Sequence, residues 1–449
     1  MEQREQDPAV VKKAIAASAV GNFTEWFDYG LYAYGVSYIA VAIFPGEGAT
    51  KTLLALVTFA VSFLFRPLGG FVWGPLGDRL GRRRVLAITI LLMACATLCV
   101  GLVPSYAAIG LWAPALMVLL RIVQGFSTGG EYGGAATFMA EYAPARRRGI
   151  LGSFLEFGTL AGFSAGALMM LVFSVALSDD QMHTWGWRVP FLLAAPLGLV
   201  GLYLRSRLDE TPAFKELEES GEREDAVGGE FRDLIREYWA PILRLGGLVI
   251  ALNVVNYTLL SYMPTYLETA IGLSTDMSLV VPIIGMLSMM VFLPFAGLLS
   301  DRIGRKPVWW ISLVGLFVAG VPMFMLMSVN VVGAIIGFAV LGLLYVPQLA
   351  TISATFPAMF PTQVRFAGFA IAYNVATALF GGTAPALNDW LVGLTGNNLV
   401  PAFYMMLACV VGAIALIGLP ETARCPINST EIPGTPEAPA PLEYAVSRG

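Results

Sequence analysis

Six ionisable side chains sit inside stretches of chain long and apolar enough to cross a lipid bilayer: Glu25, Asp28, Arg66, Arg121, Glu131 and Glu156. Charge at that depth is costly, so such residues are candidates for an ion or substrate pathway by default. At a rise of ~1.5 Å per residue, Glu25, Arg66, Glu131 and Glu156 fall roughly 10–20 Å above the arginine-rich edge. Asp28 and Arg121 fall slightly higher, near the midplane, so all six could share one cavity. Their charges do not balance. Four carboxyls face two guanidiniums, and a low dielectric does not tolerate two unpaired negatives, so at least one carboxyl is expected to hold a proton at neutral pH. A cationic group on a solute could relieve the same imbalance. The chemistry expected is proton-coupled movement of a small polar solute, with the proton as coupling ion and no other cofactor. Stapling of helices is the competing reading for Glu25, Arg121 and Glu131. The one histidine, His183, falls in a loop at the other edge and cannot serve.

Neutral groups accompany these charges. Within Gly21–Tyr32, positions 22, 25, 28/29 and 32 share a helix face, which aligns the acids with Asn22, Tyr29 and Tyr32, and Trp26 adds a further ring. The second half of the chain has few buried charges. It offers Asn253, Asn256, Tyr257 and Tyr262, then Tyr345 and Gln348, then Tyr373 and Asn374. A lone intramembrane Tyr usually marks an interface. Taken together, these residues provide hydrogen bonds and aromatic faces, and aromatic faces suit a quaternary ammonium. No nucleophile–base set, nucleotide loop or CxxC spacing is present, and the four cysteines suggest neither a zinc site nor a disulfide framework. An enzyme is therefore not expected.

The elements that must position these groups are transmembrane helices. Of 449 residues, 57% are hydrophobic and 13% charged, and mean hydropathy is +0.71. A net charge of −4 gives no footprint for nucleic acid. Stretches of about 20 apolar residues fall near 15–43, 53–77, 85–103, 112–140, 150–177, 187–204, 243–267, 278–299, 308–329, 332–357, 367–391 and 400–419. Alternate loops concentrate cations, including Arg79, Arg82, Arg146, Arg147, Arg148, Arg302, Arg305, Lys306 and Arg365. Positive loops stay inside, so both termini are expected in the cytoplasm. The organisation read from this is a cytoplasmic segment 1–14, a six-helix bundle over 15–204, a cytoplasmic loop 205–242, a second bundle over 243–420 and a disordered cytoplasmic tail 421–449. Within the loop, Phe231, Leu234, Ile235 and Tyr238 have the spacing of a short surface helix. A multi-pass inner-membrane protein working as a monomer on a small solute is the expectation.

The chain repeats itself. After the second span it reads Gly74-P-L-G-Asp78-Arg79-L-Gly81-Arg82-Arg83, and after the eighth Gly297-L-L-S-Asp301-Arg302-I-Gly304-Arg305-Lys306, 223 residues further on (74 to 297). Pro144-A-R-R-Arg148 matches Pro361-T-Q-V-Arg365, and Glu210-Thr211 matches Glu421-Thr422. Three pairs in the same order indicate a duplicated six-helix unit. Glycines let helix ends approach, while an Asp can meet helix termini and loop arginines. These motifs, with Glu141, are expected to form a cytoplasmic latch that opens as the halves rock.

The duplication resembles the pattern of the major facilitator superfamily, whose halves are parallel repeats about an axis along the membrane normal. The runs GNFTEWFDYGLY, FLFRPLGGFVWGPLGDRLGRRR, RIVQGFSTGGEYGGA and WGWRVPF, within roughly residues 14–424, resemble its bacterial metabolite:proton symporter family. GSFLEFGTLAGF and GLVIALNVVNYTLLSYMPTYL are most similar to members carrying proline and glycine betaine. The resemblance implies an all-α membrane protein of twelve helices in two pseudo-symmetric bundles, importing a zwitterionic osmolyte with protons by alternating access. Other members carry organic acids such as 2-oxoglutarate, citrate or shikimate, so an organic acid is the alternative solute. Osmotic tuning in some members uses a C-terminal coiled coil. The tail here has no heptads, so tuning by that route is not expected.

Overall fold

The computed structural model describes residues 8–194 except 81 and 130, then 196, 198, 236–427 except 362 and 363, and 431–441 except 437 and 439. The described elements are helices in the expected order. In the first half they are α1 (Pro8–Tyr34, resumed as Val36–Ile43), α2 (Ala49–Leu64, resumed as Arg66–Leu80), α3 (Arg82–Leu102), α4 (Trp112–Thr128, resumed as Glu131–Tyr142), α5 (Arg148–Ala176) and α6 (188–194). In the second half α7 runs Trp239–Asn256, passes a π-helical turn at Tyr257–Tyr262 and ends as Met263–Thr269. It is followed by α8 (Thr275–Ile303), α9 (Arg305–Met327) and α10 (Val331–Thr355). The last two are α11 (Arg365–Ala376, a π-helical turn Thr377–Gly381, then Ala384–Thr395) and α12 (Val400–Ile417). Among the described residues, seven helices are individually long and apolar enough to cross a membrane, and Ile88–Leu102 is a shorter apolar helix. Lipid-facing rows such as Leu287, Val291, Phe295 and Val314, Val318 remain exposed, as a helix solvated by hydrocarbon requires.

Two glycine-lined crossings bring the candidate residues together. On α5, a Cβ at Gly158 would lie 2.3 Å from the Ala19 carbonyl oxygen, and one at Gly162 would lie 2.5 Å from that of Phe23. The i, i+4 spacing of these small residues lets α1 lie against α5 with backbones in contact, as in GxxxG pairs. Gly125 and Gly129 of α4 do the same for α2: their Cβ atoms would come within 1.7 Å of the Ser62 oxygen and 2.0 Å of the Arg66 oxygen. Glu25 on α1 and Arg66 on α2 are thus carried on helices whose approach to α5 and to α4, respectively, is set by the absence of side chains.

The halves meet mainly where α5 lies along α8 and α10, and where α2 faces α11. At the arginine-rich end, Asp301 of α8 accepts bonds from the first turn of α5. At the other end, Ser174 of α5 donates to Asp276 at 2.7 Å, and Ser37 of α1 to Glu268 at 2.5 Å. Among the described residues, both ends of the interface carry contacts between the halves.

Several boundaries depart from the sequence expectations. Helix α1 begins at Pro8, within the polar segment 1–14, because the backbone ladder continues past the apolar run. Residues 205–235, including Phe231, Leu234 and Ile235, lie outside the described residues, whereas Tyr238 is described, half-buried beside the start of α7. Disorder from 421 onward is corrected for the described part of the tail. Thr422, Cys425 and Ile427 are buried, and Arg424 turns the segment with φ 63°. Ile427 packs against Ala140 and Ala358. The composition of this stretch is polar and Pro-rich, but its backbone carbonyls satisfy arginines at the ends of the bundles, which fixes its path.

Candidate functional site

Three polar clusters occupy the buried centre of the first half. In the first, Arg66 of α2 pairs with Glu25 of α1, Nη2 to Oε1 at 2.8 Å, both nearly inaccessible to solvent. The Arg66 guanidinium carbon lies 4.6 Å from the Phe63 ring centre, 4.8 Å from Tyr29 and 5.6 Å from Trp26. All three are within cation–π range. Tyr257 of α7, in the other half, closes the group at 5.0 Å from Phe63 and 6.2 Å from Trp26. Gly381 of α11 leaves it room, since a Cβ there would fall 2.8 Å from the Tyr257 ring.

In the second cluster, Arg121 of α4 stacks 3.6 Å above the centre of Tyr32 and donates from Nη1 to Gln124 Oε1 at 2.7 Å. Gln124 donates to Thr97 at 2.8 Å, and Thr97 to Asp28 Oδ2 at 2.8 Å. Asp28 is therefore joined to Arg121 through two neutral side chains, with no ion pair between them. In the third, Glu156 of α5 accepts from Tyr132 at 2.5 Å and Thr159 at 2.9 Å. Thr159 also accepts from Asn22, whose Oδ1 accepts from Trp26 Nε1 at 3.1 Å. The Tyr132 ring stacks on Tyr373 of α11 with centres 4.7 Å apart and planes inclined by 16°.

The Glu131 side chain lies outside the described residues. The five described charges fall into three separate clusters rather than one mixed cavity, and among them Glu25 and Arg66 touch as an ion pair. Of the neutral candidates, Tyr29, Tyr32, Trp26, Asn22, Tyr257 and Tyr373 join the clusters. Asn374 donates across the halves to the Gly129 carbonyl at 3.1 Å. Asn253 donates to Thr377 at 2.8 Å and Asn256 accepts from Tyr345 at 3.1 Å, so both serve contacts within their own half. Gln348 likewise donates to Ser312 at 2.9 Å. Tyr262 is buried apart from the clusters, beside Tyr266. Residues not singled out from sequence are Phe63, Thr97, Gln124, Tyr132 and Thr159. Gln124 lies one turn from Arg121 and Thr159 one turn from Glu156, a spacing that signals contact. Phe63 reads as one more apolar residue and carried no signal.

At the arginine-rich end, the motif after α8 is fully assembled. Asp301 accepts from the Gly149 and Ile150 N–H groups at 2.8 and 2.9 Å, at the N-terminus of α5, and from Arg305 Nη2 at 2.6 Å. Gly149 meets Gly297 backbone to backbone, and a Cβ on either would clash. Gly304 adopts φ 105°, which allows α8 to turn directly into α9. Arg302 is exposed, and its carbonyl and that of Asp301 accept from Arg424 at 2.6 and 3.0 Å. Glu421 accepts from the Arg305 and Lys306 N–H groups, capping α9. Arg365 pairs with Glu141 at 2.9 Å across the halves. Arg148 and Arg365 behave as equivalents: each Nε donates to a carbonyl eight residues earlier, Ala140 and Pro357. Each also reaches the tail, Arg148 from Nη1 to the Cys425 carbonyl and Arg365 from Nη2 to that of Ile427. The equivalent motif of the first half, Gly74, Asp78, Arg79, Gly81 and Arg82, lies outside what the structure describes at the level of side chains. Among the described residues no group of carboxylate, His or Cys side chains is arranged to hold a metal.

The comparisons agree with this architecture. The family model for the Major Facilitator Superfamily matches residues 19–385. A proline/betaine transporter of Escherichia coli K12 is 43% identical over 430 residues, covering 94% of this chain and 86% of the relative. The glycine betaine/proline/ectoine/pipecolic acid transporter of Dickeya dadantii is 43% identical with the same coverage. An ectoine/proline transporter of Corynebacterium glutamicum is 40% identical over 437 residues, 94% of this chain and 86% of that one. The solved structure of a proton:xylose symporter bound to 6-bromo-6-deoxy-D-glucose superimposes with a TM-score of 0.74 at 19% identity, covering 94% of this chain and 98% of the other, which is a likeness of fold. Paired six-helix bundles, a duplicated loop motif and relatives matched over nearly their whole length lead to one assignment: the chain is a multi-pass inner-membrane transporter belonging to the major facilitator superfamily.

Proposed function

We propose that the protein imports small zwitterions such as proline and glycine betaine together with protons. The observation that carries this reading is the buried Glu25–Arg66 pair among aromatic rings. A solute bearing one cation and one carboxylate can insert between these two charges and leave every charge paired. A dicarboxylate would leave Glu25 opposite an anion, at a cost of several kcal/mol for unpaired buried charge. The names of the 40–43% identical relatives support the same solute class. Asp28 and Glu156 accept only hydroxyl hydrogen bonds among the described contacts, so a proton is the countercharge available to them and they are the assigned coupling sites. Alternating access proceeds by opening one end of the interface at a time, with the arginine-rich loops and both termini in the cytoplasm and the monomer as the working unit.

The test is uptake of labelled proline, glycine betaine and 2-oxoglutarate into proteoliposomes under an imposed proton gradient. Proline and betaine accumulate, compete with each other and are released by an uncoupler. Accumulation driven by sodium or ATP and insensitive to the uncoupler refutes proton symport. Uptake of 2-oxoglutarate or citrate with no competition by betaine replaces the zwitterion with an organic acid. One observation favours that second reading: Nε and Nη2 of Arg121 make no hydrogen bond among the described residues, and a carboxylate could take both.

A further inference from the structure

The rings that would surround a solute cation already surround one. Trp26, Tyr29 and Phe63 face the Arg66 guanidinium at 5.6, 4.8 and 4.6 Å, Tyr257 completes the enclosure from α7, and Glu25 supplies the anion at 2.8 Å. This is the composition of a site for a quaternary or secondary ammonium, with the cation provided by the chain itself. Arg66 is also placed to leave. Helix α2 is interrupted at Phe65, immediately before Arg66, and Pro67 follows. One of its nitrogens, Nε, makes no hydrogen bond among the described residues.

We propose that Arg66 is an internal stand-in for the solute's cation, and that a bound zwitterion takes its place in the box. The inference rests on the zwitterion reading above and adds two things: an exchange of partners, and Phe63 as a wall of the cation site that selects quaternary ammonium. On entry the solute's cation pairs with Glu25 and the rings, while its carboxylate takes the displaced guanidinium. One ion pair becomes two and no charge is left alone. A cation without a carboxylate cannot complete the exchange, because Arg66 would be evicted with no partner. Arg66 thereby excludes simple quaternary amines from a site whose walls would otherwise accept them.

Choline supplies the test, having the quaternary ammonium and no carboxylate. Binding of radiolabelled choline is measured directly on purified, monodisperse protein in detergent, without any gradient. Choline should bind Arg66→Gln at least 30-fold more tightly than the unsubstituted protein, and adding Phe63→Leu to Arg66→Gln should remove most of that gain. Arg66→Lys keeps a cation in the box and should exclude choline as the unsubstituted chain does. Equal, weak choline binding by folded Arg66→Gln overturns the proposal, as does choline binding by Arg66→Lys as tight as by Arg66→Gln. Phe63→Leu alone leaves both charges in place and gives a second arm: betaine affinity should fall at least 10-fold and proline affinity less than 3-fold, because proline can also donate N–H bonds. Equal losses for the two solutes overturn the role of Phe63. Because the choline arm compares variants with one another, a failure of the protein to transport proline or betaine would count against the transport reading alone.

Discussion

Replacing Asp301 with Asn weakens one of the contacts that hold the halves together at the arginine-rich end. The Asp301 carboxylate accepts three bonds, of which those from Gly149 and Ile150 cross between the halves. The bond from Arg305 lies within the second half, so its loss weakens open and closed states alike and does not bias them. A hydrogen bond to a charged group contributes about 1.5–3 kcal/mol and a neutral one about 1 kcal/mol. The amide can accept from one of the two N–H groups through its oxygen, while its NH2 cannot accept from the other. Two charged bonds are exchanged for one neutral bond, and the favourable carboxylate at the N-terminus of α5 is lost as well. Closure should weaken by about 2–5 kcal/mol, a shift of roughly 30- to 4,000-fold in the closed-to-open ratio at ~1.4 kcal/mol per decade. Spin labels at positions 147 and 303, on the two halves beside this contact, report the separation by double electron–electron resonance. The distribution should broaden to longer distances in Asp301→Asn, and maximal uptake should fall while equilibrium solute affinity stays within a few fold. Unchanged distances, or a collapse of affinity with normal turnover, would show that this contact does not close the transporter.

Three further outcomes follow from the geometry. Asp28→Asn and Glu156→Gln should keep solute exchange in counterflow but lose gradient-driven accumulation, whereas Glu25→Gln should impair both because it breaks the pair with Arg66; wild-type behaviour of all three in both assays removes them from coupling. Gly162→Leu places a side chain against the Phe23 backbone and should cost about 3 kcal/mol or more through overpacking, seen as a lower thermal unfolding midpoint; an unchanged midpoint shows that α1 yields freely. Ile427→Asp sets a carboxylate between Ala140 and Ala358 and should speed alkylation of the buried Cys425 in a variant lacking Cys95, Cys99 and Cys409; an unaltered rate means the tail is not held there.

Much of this was legible in the sequence because membrane solvation imposes strong rules. Runs of apolar residues, arginine-bearing loops and a motif repeated from Gly74 to Gly297 are enough to outline paired six-helix bundles. Intramembrane charge likewise pointed to Glu25, Arg66, Asp28, Arg121 and Glu156, all buried at the centre. Rise per residue, however, gives depth and not azimuth, so it could not tell that Glu25 pairs with Arg66 while Asp28 looks toward Thr97. Rotation about each helix is set by contacts such as Gly158 on Ala19 and Gly129 on Arg66, which depend on partners distant in the chain. The π-helical turns at Tyr257–Tyr262 and Thr377–Gly381 shift the register of α7 and α11. No local composition announces them. The ordered tail escaped for a different reason: Pro-rich polar sequence cannot build a core of its own, yet its carbonyls can complete a site that other segments leave unfinished.

That tail has a topological consequence. Arg148 and Arg365 occupy matching places in the two bundles, each holds its own helix end eight residues upstream, and each also donates to one strand of backbone, at Cys425 and Ile427. The segment therefore works as a keystone between pseudo-symmetric abutments. Because the segment continues from α12 and belongs to the second half, only the Arg148 bond to the Cys425 carbonyl and the packing of Ile427 on Ala140 cross between the halves, and the first bundle must release both to swing away at this end.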